Sequence, residues 1–342
     1  MSQTHMQREV LEIPEAAARL LELGAAQAEN FATEFLKAQP SMIATIGRGS
    51  SDHAAYFLKY AFEITLGIPV ASLGPSLASL YGASMHLKNT AAIAISQSGK
   101  SPDIVSLAQS VTQSGSLSIA LVNSVPSPLS DACSHVLDIG AGPEKSVAAT
   151  KSFVNSIVAG LMLLAAISKD AGLSSALKTL PKSLDAALNQ NWQALSDHLI
   201  QRKSMFVLGR GPALAIAHEA ALKMKETCAV HGEAYSSAEV LHGPVEILDD
   251  GFPVLVFNPG DRSGQATAGV AREIAGRGAS VFVAGGSVGA GLSELSVAST
   301  GHALTDALVQ IVSFYVFAEA HARRLGRNPD EPKQLKKVTE TI

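Results

Sequence analysis

The chain has 342 residues, more than one ordinary domain of roughly 150, so two packed units are expected. Hydrophobic residues make up 47% of it against 16% charged and 5% aromatic, enough to bury a sizeable core, which excludes a disordered or strongly solvated protein. A net charge of −4 leaves no global field to draw in a polynucleotide, so no nucleic-acid partner is expected, although local groups can still meet small anions.

From Met6 to about Leu36 apolar residues recur at helical spacing (Val10, Ile13, Ala17, Leu20, Leu21), which predicts a leading helix, with Pro14 tolerable only near a start or a break. The N-terminus has neither the basic start nor the apolar stretch of a signal peptide. Short apolar runs follow at Met42 to Ile46, Ala91 to Ile95, Leu117 to Val122 and Val136 to Ile139, each reading as a buried parallel strand. Helical patterns lie between and after them at Asp52 to Leu66, Asp103 to Gln113 and Val147 to Lys169. The longest apolar run, Val154 to Ile167, is shorter than the ~20 residues a bilayer span needs and is broken by Asn155, Ser156 and Gly160, so it reads as a buried helix and no membrane partner is expected.

A polar helical stretch from Leu173 to Arg202 leads into a second series. Its strands are Ser204 to Leu208, Pro253 to Phe257 and Ser280 to Val283, and its helices Ala213 to Cys228, Thr267 to Arg277 and Ala303 to Ala322. The order predicts an α/β fold duplicated in tandem, each half a parallel sheet flanked by helices in a flavodoxin-like three-layer α/β/α arrangement. Ile46-Gly47-Arg48-Gly49 against Leu208-Gly209-Arg210-Gly211 is the best internal match. The expected division is a helical segment 1–35, domains 36–183 and 184–325, and a tail 326–342.

Two loops could meet a phosphate. Ile95-Ser96-Gln97-Ser98-Gly99-Lys100-Ser101 empties an apolar strand into hydroxyls, an amide and a glycine just ahead of a helix, where backbone N–H groups can donate to a dianion. The same residues also read as a serine-rich loop with a helix cap. Gly47-Arg48-Gly49-Ser50-Ser51-Asp52 makes a second such loop, but lacks the third Gly or Ala of a dinucleotide fingerprint. Titratable groups crowd the second half: Lys223 and Glu226 share a helix face, where an amine can hold a carboxylate ionised for proton abstraction. An isolated Lys-x-x-Glu is also commonly a solvated pair of small energetic weight. His242, in His-Gly-Pro after a polar strand end, sits on a rigid turn and can exchange protons near neutral pH. The tail Asp330 to Val338 reads as a solvated terminus unless Pro332, Leu335 and Val338 pin it, in which case one of its lysines is a candidate amine for a Schiff base. Cys133 and Cys228 have no metal-ligand or disulfide spacing, which fits a reducing cytoplasm, and no metal site is expected.

Ser96-Gln97-Ser98-Gly99, Ala148-Ala149-Thr150-Lys151-Ser152-Phe153, Ala221-Leu222-Lys223-Met224-Lys225-Glu226, Glu233-Ala234-Tyr235 through His242-Gly243-Pro244, and the tail Asp330 to Lys337 occur together in this order. Taken together they resemble the sugar isomerase (SIS) domain family. The likeness is to tandem-SIS chains, the isomerase half of glutamine:fructose-6-phosphate amidotransferase and the second type of glucosamine-6-phosphate deaminase. The resemblance implies that Gly49, Ser50, Ser51, Ser96, Gln97, Ser98, Ser101 and Ala148 hold the phosphate and nearby sugar hydroxyls. By the same carry-over Glu226 is similar to the base that moves a proton between C1 and C2, with Lys223 its helical support. His242 is similar to the acid/base that opens the ring, and Lys337 to a tail lysine over the open-chain sugar. These residues are expected to converge beside the Ser96 to Ser101 cradle, with the histidine segment supplied by a neighbouring copy, hence a homodimer; no cofactor is implied.

The sequence departs from the amidotransferase pattern at Arg48, Lys100 and Ala149, so the sugar pocket is not a copy. The chain is also expected to lack a glutaminase domain, which favours deamination of glucosamine 6-phosphate over synthesis from glutamine. The alternatives are a fructosamine-6-phosphate deglycase, a galactosamine-6-phosphate deaminase/isomerase and, from another class, a sugar-phosphate sensing module without turnover.

Overall fold

Apolar runs of four to six residues with no polar alternation must be covered on both faces, and parallel strands between helix layers provide that cover. In the computed structural model, which describes residues 3–286, 289, 291–335 and 337, such runs form two five-stranded, all-parallel sheets. The chain divides into two interleaved units. The first takes residues 13–144, 151–178 and 336–342, and the second 1–12, 145–150 and 179–335.

The first unit holds β1 (Ile43–Ile46), β2 (Val70–Ser72), β3 (Ala91–Ser96), β4 (Leu117–Val122) and β5 (His135–Asp138), ordered β2-β1-β3-β4-β5. Every residue of β1 and β3 is buried. Register pairs Ile43 with Ala91 and Ser96 with Val122, so β3 delivers Ser96 to the carboxyl edge of the sheet. One side is covered by helix Lys151–Ser168, which packs on helices Ile13–Leu23, Ala25–Ala38 and Ser50–Leu66. Seventeen of its eighteen residues are buried, as expected for a core helix.

The second unit holds β6 (Ser204–Gly209), β7 (His231–Ser236), β8 (Pro253–Phe257), β9 (Ser280–Ala284) and β10 (Ser293–Leu295), ordered β10-β9-β8-β6-β7. Read from the other edge this is the order of the first sheet, with β6 in the place of β1 and β8 in the place of β3. The backbone repeats in detail. Gly49 (φ 54°, ψ −129°) and Gly211 (φ 58°, ψ −132°) precede helices Ser50–Leu66 and Pro212–Lys223 in the same positive-φ conformation, which a side chain would strain. Helix Ala303–Arg324 packs on Pro212–Lys223, and Trp192 lies among Phe257, Phe314 and Phe317 with its indole N–H donated to Ser296 O at 2.9 Å.

Some expected elements differ. The leading helix is three, His5–Leu11, Ile13–Leu23 and Ala25–Ala38, broken at Glu12 and Gly24, and Pro14 falls at the second position of the middle one, where it interrupts no hydrogen bond. The Leu173 to Arg202 stretch is two helices, Ala171–Ala187 and Gln193–Leu199. β2 and β10 have only three residues each, and β7 is a polar edge strand without an apolar run, so none carries the signal that marks the others. Two helices, Lys151–Ser168 and Ala303–Arg324, are long and apolar enough to cross a membrane; the apolar windows of both are mostly buried, 94% and 72%.

Candidate functional site

In the first unit the β3 loop is already ordered by its own hydroxyls. Ser96 Oγ accepts the Gly99 N–H at 3.0 Å and Ser98 Oγ accepts the Lys100 N–H at 3.3 Å. Gly99 (φ 64°) lies so close to Ser127 and Val122 that a Cβ there has no room. Ser101 is the N-cap of helix Pro102–Gln113, yet its side chain makes no capping bond. The β1 loop comes to the same edge. Arg48 Nε and Nη2 both lie 2.9 Å from Oδ2 of Asp103, a fully buried carboxylate in the first turn of that helix, so the arginine ties the two loops together. Ser50 and Ser51 open helix Ser50–Leu66 and are half-buried, as are Gln97, Ser98 and Ser101. The structure thus places Gly49, Ser50, Ser51, Ser96, Gln97, Ser98 and Ser101 on two adjoining loops at one sheet edge, each helix presenting its N-terminal N–H groups there. The Arg48–Asp103 pair was not among the expected site residues; an arginine between two glycines and an aspartate after Ser-Pro were its only traces in the sequence.

The second unit carries the titratable centre. Helix Pro212–Lys223 continues into a π-helical turn, Met224–Cys228, a widening often found at functional sites. Glu226 stands on this turn. Lys223 is fully buried and its Nζ lies 2.6 Å from Glu226 Oε2 and 3.1 Å from Glu219 Oε1. Burial alone would lower the lysine's pKa, but the carboxylates of Glu219 and Glu226 outweigh it and hold the ammonium well above its ordinary value. Glu219 is itself fully buried and accepts the Tyr315 hydroxyl at 3.3 Å. Glu226 alone of the three reaches solvent, with 17% of its side chain exposed. It opens on a cleft of about 920 Å³ walled by the π-turn and by residues from Leu325 to Leu335. Glu219 was missed in the sequence, although a carboxylate four residues before Lys223 in an otherwise apolar run was the signal that could have found it.

The remaining expected residues have plain positions. His242 is exposed at the end of a 3₁₀ turn, Glu239–Leu241, and its ring makes no hydrogen bond among the described residues; Gly243 (φ 125°) and Pro244 fix the turn behind it. Lys337 Nζ lies 3.2 Å from Glu144 Oε2 in the first unit, and that buried carboxylate also accepts the Ser152 N–H and hydroxyl at 3.1 and 2.6 Å. Ala148 is fully buried in segment 145–150, where Glu9 accepts the backbone N–H groups of Lys145 and Ser146. Among the described residues no group of three or more His, Cys, Asp or Glu side chains gathers as metal ligands.

The SIS domain model matches residues 37–166 and 198–318, one segment over each sheet. The chain belongs to the SIS domain family. Within the SIS family it is 33% identical over 304 residues to the glutamine–fructose-6-phosphate aminotransferase [isomerizing] of Methanothermobacter thermautotrophicus, covering 86% of this chain and 51% of that protein. The chain spans about half the length of the curated relatives first matched. A solved SIS-type structure from Silicibacter pomeroyi DSS-3, provisionally described as a phosphosugar isomerase, is 51% identical, with a TM-score of 0.93 over 96% of this chain and 100% of that one. The glucosamine-6-phosphate deaminase of Thermotoga maritima, at 19% identity and a TM-score of 0.76 over 99% and 100% of the two chains, shares the fold. This SIS chain stands among enzymes.

Proposed function

We propose that the chain is an aminosugar-phosphate deaminase that converts glucosamine 6-phosphate to fructose 6-phosphate and ammonia. The observation that carries this reading is the buried Glu219–Lys223–Glu226 array. An ammonium locked between two carboxylates fixes Glu226 at the wall of an open cleft, which is where a proton-abstracting base has to stand. His242, exposed and without a hydrogen-bond partner among the described residues, opens the pyranose to the aldehyde, serving a second copy of the chain as the family resemblance implies. Glu226 removes the proton from C2 and returns it to C1, turning the 2-amino aldehyde into a C2 imine with a C1 hydroxyl. Water adds to that imine, the C–N bond breaks, and ammonia leaves with fructose 6-phosphate. The Ser96 to Ser101 loop and the Gly49-Ser50-Ser51 turn hold the phosphate, Ala148 lies at the sugar, and the 326–342 tail supplies Lys337 for the open-chain carbonyl. Two free cysteines agree with a reducing cytoplasmic setting.

The test is an ammonia-release panel on the purified protein with glucosamine 6-phosphate, galactosamine 6-phosphate and a fructosamine-type 6-phosphate. Ammonia and fructose 6-phosphate from the first are expected. Turnover of only the second or third would reassign the substrate, and no ammonia from any, with no exchange of the C2 hydrogen into solvent, would leave a binding module.

A further inference from the structure

Because β8 occupies in the second sheet the place that β3 occupies in the first, its carboxyl end is the matching ligand position of the duplicated fold. That position is neither closed nor apolar. A cavity of about 390 Å³ lies there, between the segment from Asn258 to Gly264, the exposed face of helix Gly264–Gly276 and Gly286 after β9. Its volume falls in the range of small-ligand sites, ~300–1,000 Å³.

The lining has the donors an anion needs. Arg272 stands at the wall, exposed and without a carboxylate partner among the described residues, whereas Arg277 on the same helix is held by Glu273 at 2.7 Å. Ser263, the N-cap, does not cap: its N–H and hydroxyl both go to Asp261 Oδ1, at 2.7 and 2.5 Å. The N–H groups of Gln265 and Ala266 therefore find no acceptor among the described residues and remain available at the helix N-terminus. The amide of Asn258, 3% exposed, is spent on the loop, accepting the Gly260 N–H at 3.2 Å and donating to Gly264 O at 3.1 Å, which keeps the cavity's floor fixed. Gln265 and the second oxygen of Asp261 can take neutral hydroxyls.

The geometry points to a second ligand site in this chain, at the carboxyl end of β8, that binds a phosphorylated monosaccharide with its phosphate on Arg272 and the helix N-terminus. The site holds none of the acid/base array. It is independent of the deaminase reading.

Glucitol 6-phosphate, an open-chain hexitol phosphate with no carbonyl to react, is the probe, titrated calorimetrically into the whole chain, with inorganic phosphate and unphosphorylated glucitol as separate arms. The expected result is two equivalents per chain, with Arg272→Ala weakening one of them at least tenfold and leaving the other intact. Ser98→Ala should do the reverse, and Arg272→Lys should retain part of the affinity. Glucitol alone should not bind, and phosphate alone should bind more weakly than the ester. If the wild type binds one equivalent that Ser98→Ala leaves and Arg272→Ala removes, the β8 site stands and the cradle in the first unit does not. Binding of any stoichiometry that Arg272→Ala leaves unchanged, or no binding at all, would overturn the inference. Arg272 is exposed, so its replacement does not threaten folding.

Discussion

Replacing Lys223 by methionine removes the buried cation that bridges Glu219 and Glu226. Methionine fills most of the same volume, so the loss is electrostatic. Glu219, fully buried, loses a 3.1 Å contact with the ammonium, and Glu226 loses one of 2.6 Å. Breaking a buried pair in this way costs about 3–5 kcal/mol, against about 0–1 kcal/mol for a surface pair. With a urea slope near ~3 kcal/mol/M, the midpoint falls by about 1–1.7 M. The sign with pH follows from the lysine. Its folded pKa lies above the unfolded one, so its contribution is complete below the ordinary lysine value of ~10.4 and fades only as pH rises through the higher folded value. Wild-type stability from this group is therefore flat from about pH 6 to 9. Adding Glu219→Gln to Lys223→Met should restore part of the loss, a coupling of up to ~3 kcal/mol. The assay is urea unfolding of the four proteins of the cycle at several pH values. A deficit under about 1 kcal/mol, or strict additivity of the two changes, would show that the array is not the buried, coupled unit described.

Glu226→Gln should lower ammonia release and C2-hydrogen exchange by about 10²- to 10⁴-fold while sugar-phosphate binding persists; unchanged exchange would mean that another group is the base. Gly99→Ala forces a side chain into a positive-φ position already occupied by Ser127 and Val122, and should cost about 1–3 kcal/mol in urea unfolding and weaken phosphate binding to the loop. Burial pushes the thiols of Cys133 and Cys228 up to about 11. Both should therefore resist iodoacetamide at pH 8 in the native protein and react promptly once it is unfolded, a contrast that mass spectrometry reads directly.

How much was legible in the sequence depended on whether a residue's role was local. β1, β3, β4, β6, β8 and β9 were marked by apolar runs because burial on both faces leaves no polar position to blur the signal. β7 was not marked, because its side chains are only half-buried and its backbone pairing with β6 is set by the fold. The same holds for the candidate site. Ser96 and Ser98 announced a loop because their hydroxyls bond backbone two or three residues away. The partnership of Arg48 with Asp103 spans 55 positions and has no periodicity to betray it. Lys223 and Glu226 were paired correctly from spacing, but a solvated pair has the same spacing, and only the zero exposure of Lys223 separates the two cases. The π-turn under Glu226 left no trace either, since its residues are those of an ordinary helix end.

Asp330 accepts the backbone N–H groups of His5 and Met6 at 2.7 and 2.8 Å, and Thr4 donates its hydroxyl to Glu319 at 2.8 Å. The turn that opens helix His5–Leu11 is thereby fastened to the root of the segment that walls the Glu226 cleft. Trimming half a dozen residues for cloning convenience, or fusing a bulky tag against Thr4, would unfasten that wall from the far end of the sequence, and such a preparation could look inert while its acid/base groups were intact.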